Sequence, residues 1–264
     1  MPAKAELFRE LHREGCFVIP NPWDIGSAKI LESLGFKALA TSSSAFAFSC
    51  GKADYEMDVE SVLDHVGKIA ASSQLPVNAD FEDGFGDTPE HVFENVRKCA
   101  QTGVSGLSIE DFHNGQMLDA SAARDRLLAA REACPELVLT ARTEFALYDQ
   151  DPLAECIRRL QIYAETGADV LFAPGIADLA QIRTLTQALN PKPVNVLVFS
   201  NQPYGINDLA QAGARRISLG SSLARAAISK FISAARQLAD AGRFDGLADN
   251  LSLSDLNKLF ASRS

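Results

Sequence analysis

Two acidic residues stand two apart in the segment PVNADFEDGFGD: Asp80 and Glu82. If the apolar residues before them form a strand, period-two alternation puts both side chains on one face. Two carboxylates there repel unless a cation lies between them or one holds a proton. Hard oxygen ligands with room for water suit Mg2+, or Mn2+, better than zinc. Glu110, closing the run GLSIE, is a third candidate ligand. Arg142 closes LTAR, and its planar guanidinium suits a bidentate grip on a substrate carboxylate. Ser42, Ser43 and Ser44 offer hydroxyls and backbone N–H groups, the makings of an anion cradle.

Each of these residues also has a plain structural role open to it, as a cap, a turn or an ion pair. Asp83 and Asp87 flank a Gly-Phe-Gly turn and read as turn chemistry. Pattern alone does not separate Glu110 from Asp111; one faces the site and the other pairs with a helix. His12, His65 and His91 fall on helical stretches and read as packing or surface residues. His113 follows the fourth apolar run, so it alone of the histidines reaches toward the site and is a candidate for proton transfer. No Ser-His-Asp or Cys-His arrangement is legible. Cys16, Cys50, Cys99, Cys134 and Cys156 are odd in number and contain no CxxC pair, which argues against a disulfide framework or a structural zinc. Cys50 has no evident base beside it and reads as an inert thiol.

The elements that must position these residues recur along the chain. Gly followed by a compact apolar run appears in LGFKALA, TGVSGLSI, TGADVLFA and AGARRISLG. Gly after an amphipathic stretch stops a helix, because it takes the left-handed conformation cheaply. The apolar run after it reads as a buried parallel strand. Eight strands are expected, at 16–20, 38–42, 76–80, 105–109, 137–141, 169–173, 193–198 and 215–219. Asp24, Asp58, Thr88 before Pro89, Ser121, and Asp151 before Pro152 are expected to start helices. Eight strand–helix units fit a (β/α)8 TIM barrel, typically about 250 residues, over 1–241, with 242–264 as a helical tail. A doubly wound open sheet is the alternative, but the chain carries neither GxGxxG nor GxxxxGK[ST]. In a barrel the site lies at the C-terminal strand ends, where the residues above fall.

Composition narrows the partners. The chain has 264 residues, 25 Lys plus Arg and 34 Asp plus Glu, a formal net charge of −9 that argues against nucleic-acid binding. Hydrophobic residues make up 47%, enough for a large core and too many for a disordered chain. No run approaches the ~20 apolar residues of a membrane span, and MPAKAELFRE does not read as a signal peptide. A reducing, cytoplasmic setting is expected.

Taken in order, NPWDIGSAKILESLGFKALATSSS, PVNADFEDGFGD, GVSGLSIED, LTARTE, TGADVLFAPG, PVNVLV and AGARRISLGSSLARAA resemble the isocitrate lyase/phosphoenolpyruvate mutase superfamily over residues 15–228. The resemblance implies a TIM barrel, Mg2+-dependent chemistry on a small anionic 2-oxo or 2-hydroxy acid, and a homo-oligomer, a tetramer that swaps its last barrel helix. It implies metal-site roles for Asp80, Glu82 and Glu110, and a carboxylate contact for Arg142. It further implies substrate binding by Ser42, Ser43 and Ser44, and a catalytic loop aspartate at Asp54. Asn195 in PVNV resembles the decarboxylase- and lyase-like branch and is expected to bind substrate. DFHNGQMLDAS stands where isocitrate and methylisocitrate lyases carry Lys-x-Cys-Gly-His, so those two activities are not expected. It also lacks the Lys of the mutases' gating loop. Carbon–carbon cleavage through a pyruvate-like enolate is therefore expected. Phosphonomutase- or phosphonopyruvate hydrolase-type P–C chemistry, or a non-catalytic metal- and oxo-acid-binding barrel, are the alternatives.

Overall fold

The computed structural model describes residues 2–261. Eight parallel strands form one sheet: β1 (Phe17–Ile19), β2 (Leu39–Ala40), β3 (Val77–Asp80), β4 (Gly106–Glu110), β7 (Val138–Arg142), β8 (Val170–Phe172), β9 (Val194–Leu197) and β10 (Arg216–Ser218). Their spatial order is β1-β10-β9-β8-β7-β4-β3-β2, and the N–H of Ala40 donates to the carbonyl of Pro20 at 3.1 Å, tying the two end strands together. The expected barrel is thus the observed one. A small antiparallel hairpin, β5 (Phe112–His113) and β6 (Gln116–Met117), rises from the end of β4. The glycines of the four repeated motifs all sit in the left-handed region: Gly35, Gly103, Gly167 and Gly213 have φ of 85°, 94°, 85° and 96°.

Caps set the helix entries. Asp24 starts α2 (Ile25–Ser33) in a reciprocal capping box with Ser27. Asp58 accepts from the Ser61 N–H at the start of α4 (Val59–Ser72), and Thr88 from the His91 N–H at the start of α5 (Pro89–Gln101). Two expected starts differ. Ser121 lies inside α6 (Ala120–Ala133), after Asp119, which makes no capping bond. Asp151 does not cap α7 (Leu153–Ala164); its N–H donates to Asp149 Oδ1 at 2.9 Å, so that side chain closes the turn.

The bottom of the barrel is sealed by α1 (Pro2–Leu11), whose Phe8 is fully buried among Ile19, Ala38, Val138 and Val170. Burying such a ring contributes roughly 1.5–3 kcal/mol. Gly106 makes the seal possible: a Cβ there would lie 2.6 Å from the Val138 carbonyl and 2.9 Å from the Phe8 ring. At the other end of the chain, α10 (Ser222–Ala241) buries only Ala224, and Ile228, Phe231, Ile232 and Leu238 form an exposed apolar stripe at helical spacing. The short α11 (Leu253–Phe260) returns to α2. No helix among the described residues is long and apolar enough to cross a membrane.

Candidate active site

The site is assembled on Asp80, at the C-terminal end of β3. Its N–H donates to Thr41 Oγ1 at 2.9 Å, which fixes the backbone. The loop after β2 then closes on its carboxylate: the N–H and the hydroxyl of Ser43 both donate to Oδ2 at 3.0 Å. Ser108 donates to Oδ1 at 3.4 Å. Ser42 caps α3 (Ser43–Ser49) by accepting from the Ala45 N–H, and its hydroxyl meets that of Ser44 at 3.2 Å. Of the three serines, Ser43 alone donates to the Asp80 carboxylate, while the hydroxyls of Ser42 and Ser44 are engaged with the start of α3 and with each other.

Arg142, at the end of β7, reaches Asp80 Oδ1 and Glu110 Oε2 at 3.2 Å each, and its Nε donates to Glu144. Burial works against its charge, but Glu110, Glu144 and Asp80 outweigh that and hold its pKa above the ordinary range. One guanidinium does not satisfy three carboxyl groups, two of them almost wholly buried. Burial pushes the pKa of Glu110 up against the pull of Arg142, and that of Glu144 likewise. Phe172 lies under the guanidinium, 5.4 Å from its ring centroid.

The ambiguity at Glu110 and Asp111 is resolved by the strand's two faces. Glu110 points inward to Arg142 and accepts from the Tyr55 hydroxyl at 2.9 Å. Asp111 points outward and accepts from Thr143, Arg159 and Tyr163 at 2.7, 3.0 and 2.7 Å. It also accepts from the Glu144 N–H at 2.8 Å, and so fixes the residue that pairs with Arg142.

Glu82 and His113 face an adjoining cavity, with Asp83, Asp87 and Phe112. Glu82 takes a positive φ of 45° in the turn after β3. Its Oε1 is buried without a hydrogen-bond partner, and burial, with Asp80, Asp54 and Asp83 nearby, pushes its pKa up to about 8. Asp83 closes the expected turn by accepting from the Phe85 N–H at 2.8 Å. It also pairs with His113, whose other ring nitrogen is 3.2 Å from Asp87. Arg126 ties the same turn down through the Gly86 carbonyl at 2.6 Å. His113 is thus anchored to the turn and does not line the mouth cavity.

That mouth cavity, of about 140 Å3, is lined by Ser42, Ser43, Ser44, Asp54, Asp80, Arg142 and Asn195. Asp54 stands at its rim, where burial of the carboxyl and the nearby Asp80 raise its pKa. Asn195 lies in the floor and donates to Ser218 Oγ at 2.8 Å. The site has further members that pattern reading passed over: Tyr55, Thr41, Glu144 and Arg216. Glu144 was within reach, since it lies two residues beyond Arg142. Tyr55 carried no signal; a tyrosine at φ 65° in a loop is found only in three dimensions.

Among the described residues no three acidic, His or Cys side chains converge closely enough to hold a metal ion by themselves. Asp80 is turned to Ser43 and Arg142, Glu110 to Tyr55 and Arg142, and Glu82 faces the adjoining cavity.

Fold and site together define a (β/α)8 barrel with an acid-rich, arginine-centred pocket at the C-terminal strand ends. Residues 8–239 match the family described as phosphoenolpyruvate phosphomutase, and the chain belongs to that family. It is similar to an uncharacterized protein of Mycobacterium tuberculosis (strain ATCC 25618 / H37Rv), 31% identical over 235 residues, covering 88% of this chain and 89% of that one. It is also similar to the oxaloacetate decarboxylase of Ectopseudomonas mendocina (strain ymp), 27% identical, covering 83% and 78%. Among solved structures, a provisionally assigned lyase/mutase from Burkholderia cenocepacia J2315 superposes with a TM-score of 0.95 at 40% identity, covering 100% of this chain and 97% of that one.

Proposed function

We infer that the protein is a divalent-cation-dependent lyase that breaks a carbon–carbon bond of a small 2-oxo or 2-hydroxy acid. One observation carries the reading: Asp80, Glu110 and Glu144 crowd a single Arg142 at the mouth of a cavity of about 140 Å3. A space of that size suits an acid of a few carbons. The surplus of carboxyl groups, with the unpartnered Oε1 of Glu82 close by, fits a hydrated divalent cation. Asp80 would hold it, with Glu82 and Glu110 acting through water, as Mg2+ readily allows. When bound, such a cation stabilises negative charge developing on a substrate oxygen.

The chain's own residues do the rest. The serine loop and Arg142 orient the acid, which lowers the entropic part of the barrier. In a 2-oxo acid the electron pair of the breaking C3–C4 bond passes into the C2–C3 region and onto the C2 carbonyl oxygen, giving an enolate, while the far fragment departs as CO2 or a carbonyl compound. In a 2-hydroxy acid the C2 hydroxyl gives up its proton and becomes the carbonyl of one product. The C2–C3 bond breaks, and its pair passes to C3 and the carboxylate attached there, again giving an enolate. Asp54, with its raised pKa at the rim, is placed to hand that enolate a proton. His113, held to Asp83 and Asp87, serves to fasten the hairpin rather than to transfer a proton. The reading includes a reducing, cytoplasmic setting, for which the five free cysteines speak. It also includes a homo-oligomer, supported by the exposed stripe of α10. P–C cleavage is a second reading, supported by the family match.

A panel of 2-oxo and 2-hydroxy acids, with phosphonopyruvate among them, assayed with Mg2+ or EDTA beside Asp80→Ala, tests this. Turnover is expected only in the unsubstituted protein with Mg2+. Activity that survived both EDTA and the substitution would overturn the metal assignment. Turnover of phosphonopyruvate alone would give the second reading, and oxalate binding without any turnover a binding protein.

A further inference from the structure

Below the mouth cavity, and above the Phe8 seal, lies a second arginine. Arg216 begins β10, is 3% exposed and lines the cavity floor. Its contacts are all neutral. Nε donates to Asn195 Oδ1 at 2.8 Å and Nη2 to Thr140 Oγ1 at 3.0 Å. Nη1 lies 3.5 Å from Nε2 of His12. The other ring nitrogen of His12 is 2.7 Å from the Phe8 carbonyl, which only accepts, so that nitrogen carries the proton and Nε2 presents a lone pair. Burial and Arg216 itself lower the His12 pKa to about 3, so this ring stays neutral.

No carboxylate among the described residues pairs with Arg216; of the two in the cavity wall, Asp80 is held by Arg142 and Ser43, and Asp54 stands at the rim, accepting from the Tyr55 N–H. Burial alone lowers its pKa to about 9, which leaves it charged at neutral pH. Three of its five N–H groups are taken by these contacts. A buried charge without a counterion is costly, and the apolar seal below it offers none. The cavity above is where an anion can approach. Arg142 cannot play this part alone, because its charge is already outnumbered by the carboxyl groups around it.

The geometry points to a division of the cavity into two poles, with Arg216 as the residue that positions and selects the substrate's carboxylate. The acidic pole at the mouth takes the cation and the reacting end of the acid, and the floor takes the carboxylate. Asn195 is then a positioning residue: its Oδ1 holds Arg216 and its Nδ2 holds Ser218. This orientation deepens the lyase reading for the substrate's placement. The attraction of a carboxylate to the floor, however, needs neither metal nor turnover.

The test follows from that independence. The full chain is stripped with EDTA, and its melting temperature is followed while pyruvate or oxalate is added, for the parent, Arg216→Gln and Arg216→Lys. Glutamine keeps hydrogen-bonding capacity without charge; lysine keeps charge without the fork. The parent should gain about 3 °C or more at saturating acid. Arg216→Lys should keep part of that gain. Arg216→Gln should lose it, with at least about tenfold weaker binding, while melting no lower than the parent in the absence of acid. A parent with no shift, or an Arg216→Gln variant that retains it, would overturn the assignment. A melting temperature that fell in Arg216→Gln with the shift intact would make Arg216 a structural residue. Carboxylate binding without turnover would leave Arg216 in place and remove the lyase reading; turnover without this shift would do the reverse.

Discussion

Ser43 gives both its backbone N–H and its hydroxyl to the same oxygen of Asp80, each at 3.0 Å. The carboxylate most central to the proposed chemistry is therefore oriented by the loop that was expected to bind substrate. A hydrogen bond to a charged group is worth about 1.5–3 kcal/mol. Ser43→Ala removes the hydroxyl and keeps the N–H. Its kcat/KM should fall about tenfold or more, with the melting temperature little changed. Equal kinetics in the two proteins would show that the hydroxyl does not orient Asp80.

Arg142 is expected to be both structural and functional. Arg142→Ala strands three carboxyl groups, with Glu110 and Glu144 at 3% and 1% exposure. Removing one partner of such a buried cluster costs about 3–5 kcal/mol, to be read by urea unfolding. Arg142→Lys restores a charge but not the planar fork. It should recover much of the stability while activity stays at least about a hundredfold down. Recovery of both together would mean that charge alone matters at this position.

The metal-free protein should lose stability as pH rises, on account of Glu82. Its folded pKa is about 8, raised from 4.5 by burial first and neighbouring carboxylates second. Between those values the unfolded chain releases a proton that the folded one retains, so stability declines as pH rises from about 4.5 to about 8. Above that window the slope from this residue vanishes. In EDTA, the stability difference between the parent and Glu82→Gln should shift against the parent across this range. A difference that is flat with pH would show Glu82 ionised throughout.

His65 should act with the opposite sign. It stacks on Phe46 with ring centroids 3.7 Å apart, and burial lowers its pKa from 6.5 to about 4. Below about 6.5 the unfolded chain takes up a proton that the folded protein refuses, so stability is lost as pH falls toward about 4. Against His65→Gln, the parent should lose ground between pH 7 and pH 5 in denaturant titrations. A constant difference would place the ring in a wetter environment than the Phe46 stack.

The barrel was legible because its signals are local. A helix stop needs a residue that tolerates positive φ, and Gly35, Gly103, Gly167 and Gly213 supplied one before each of four strands. A strand covered by helices on its outer face keeps apolar residues there, so all eight were found close to their observed bounds, even where inward positions are polar, as at Asn195 and Arg216. The helix starts were read where a side chain caps, as at Asp24, and missed where none does, as at Ser121 and Asp151.

By itself, then, the sequence determined which strand ends carry acids, serines and arginine, and through them the family. Only the tertiary structure decided how those charges divide. Whether Glu110 or Asp111 turned inward depended on strand register, and His113 was drawn to the Asp83 turn by a partner thirty residues away in the chain. That Arg142 is crowded by acids while Arg216 meets none depends on what every other strand presents to the same small space. Charge compensation in a closed barrel is a property of the whole ring, because each inward residue feels its neighbours through a low-dielectric interior rather than through its own stretch of chain.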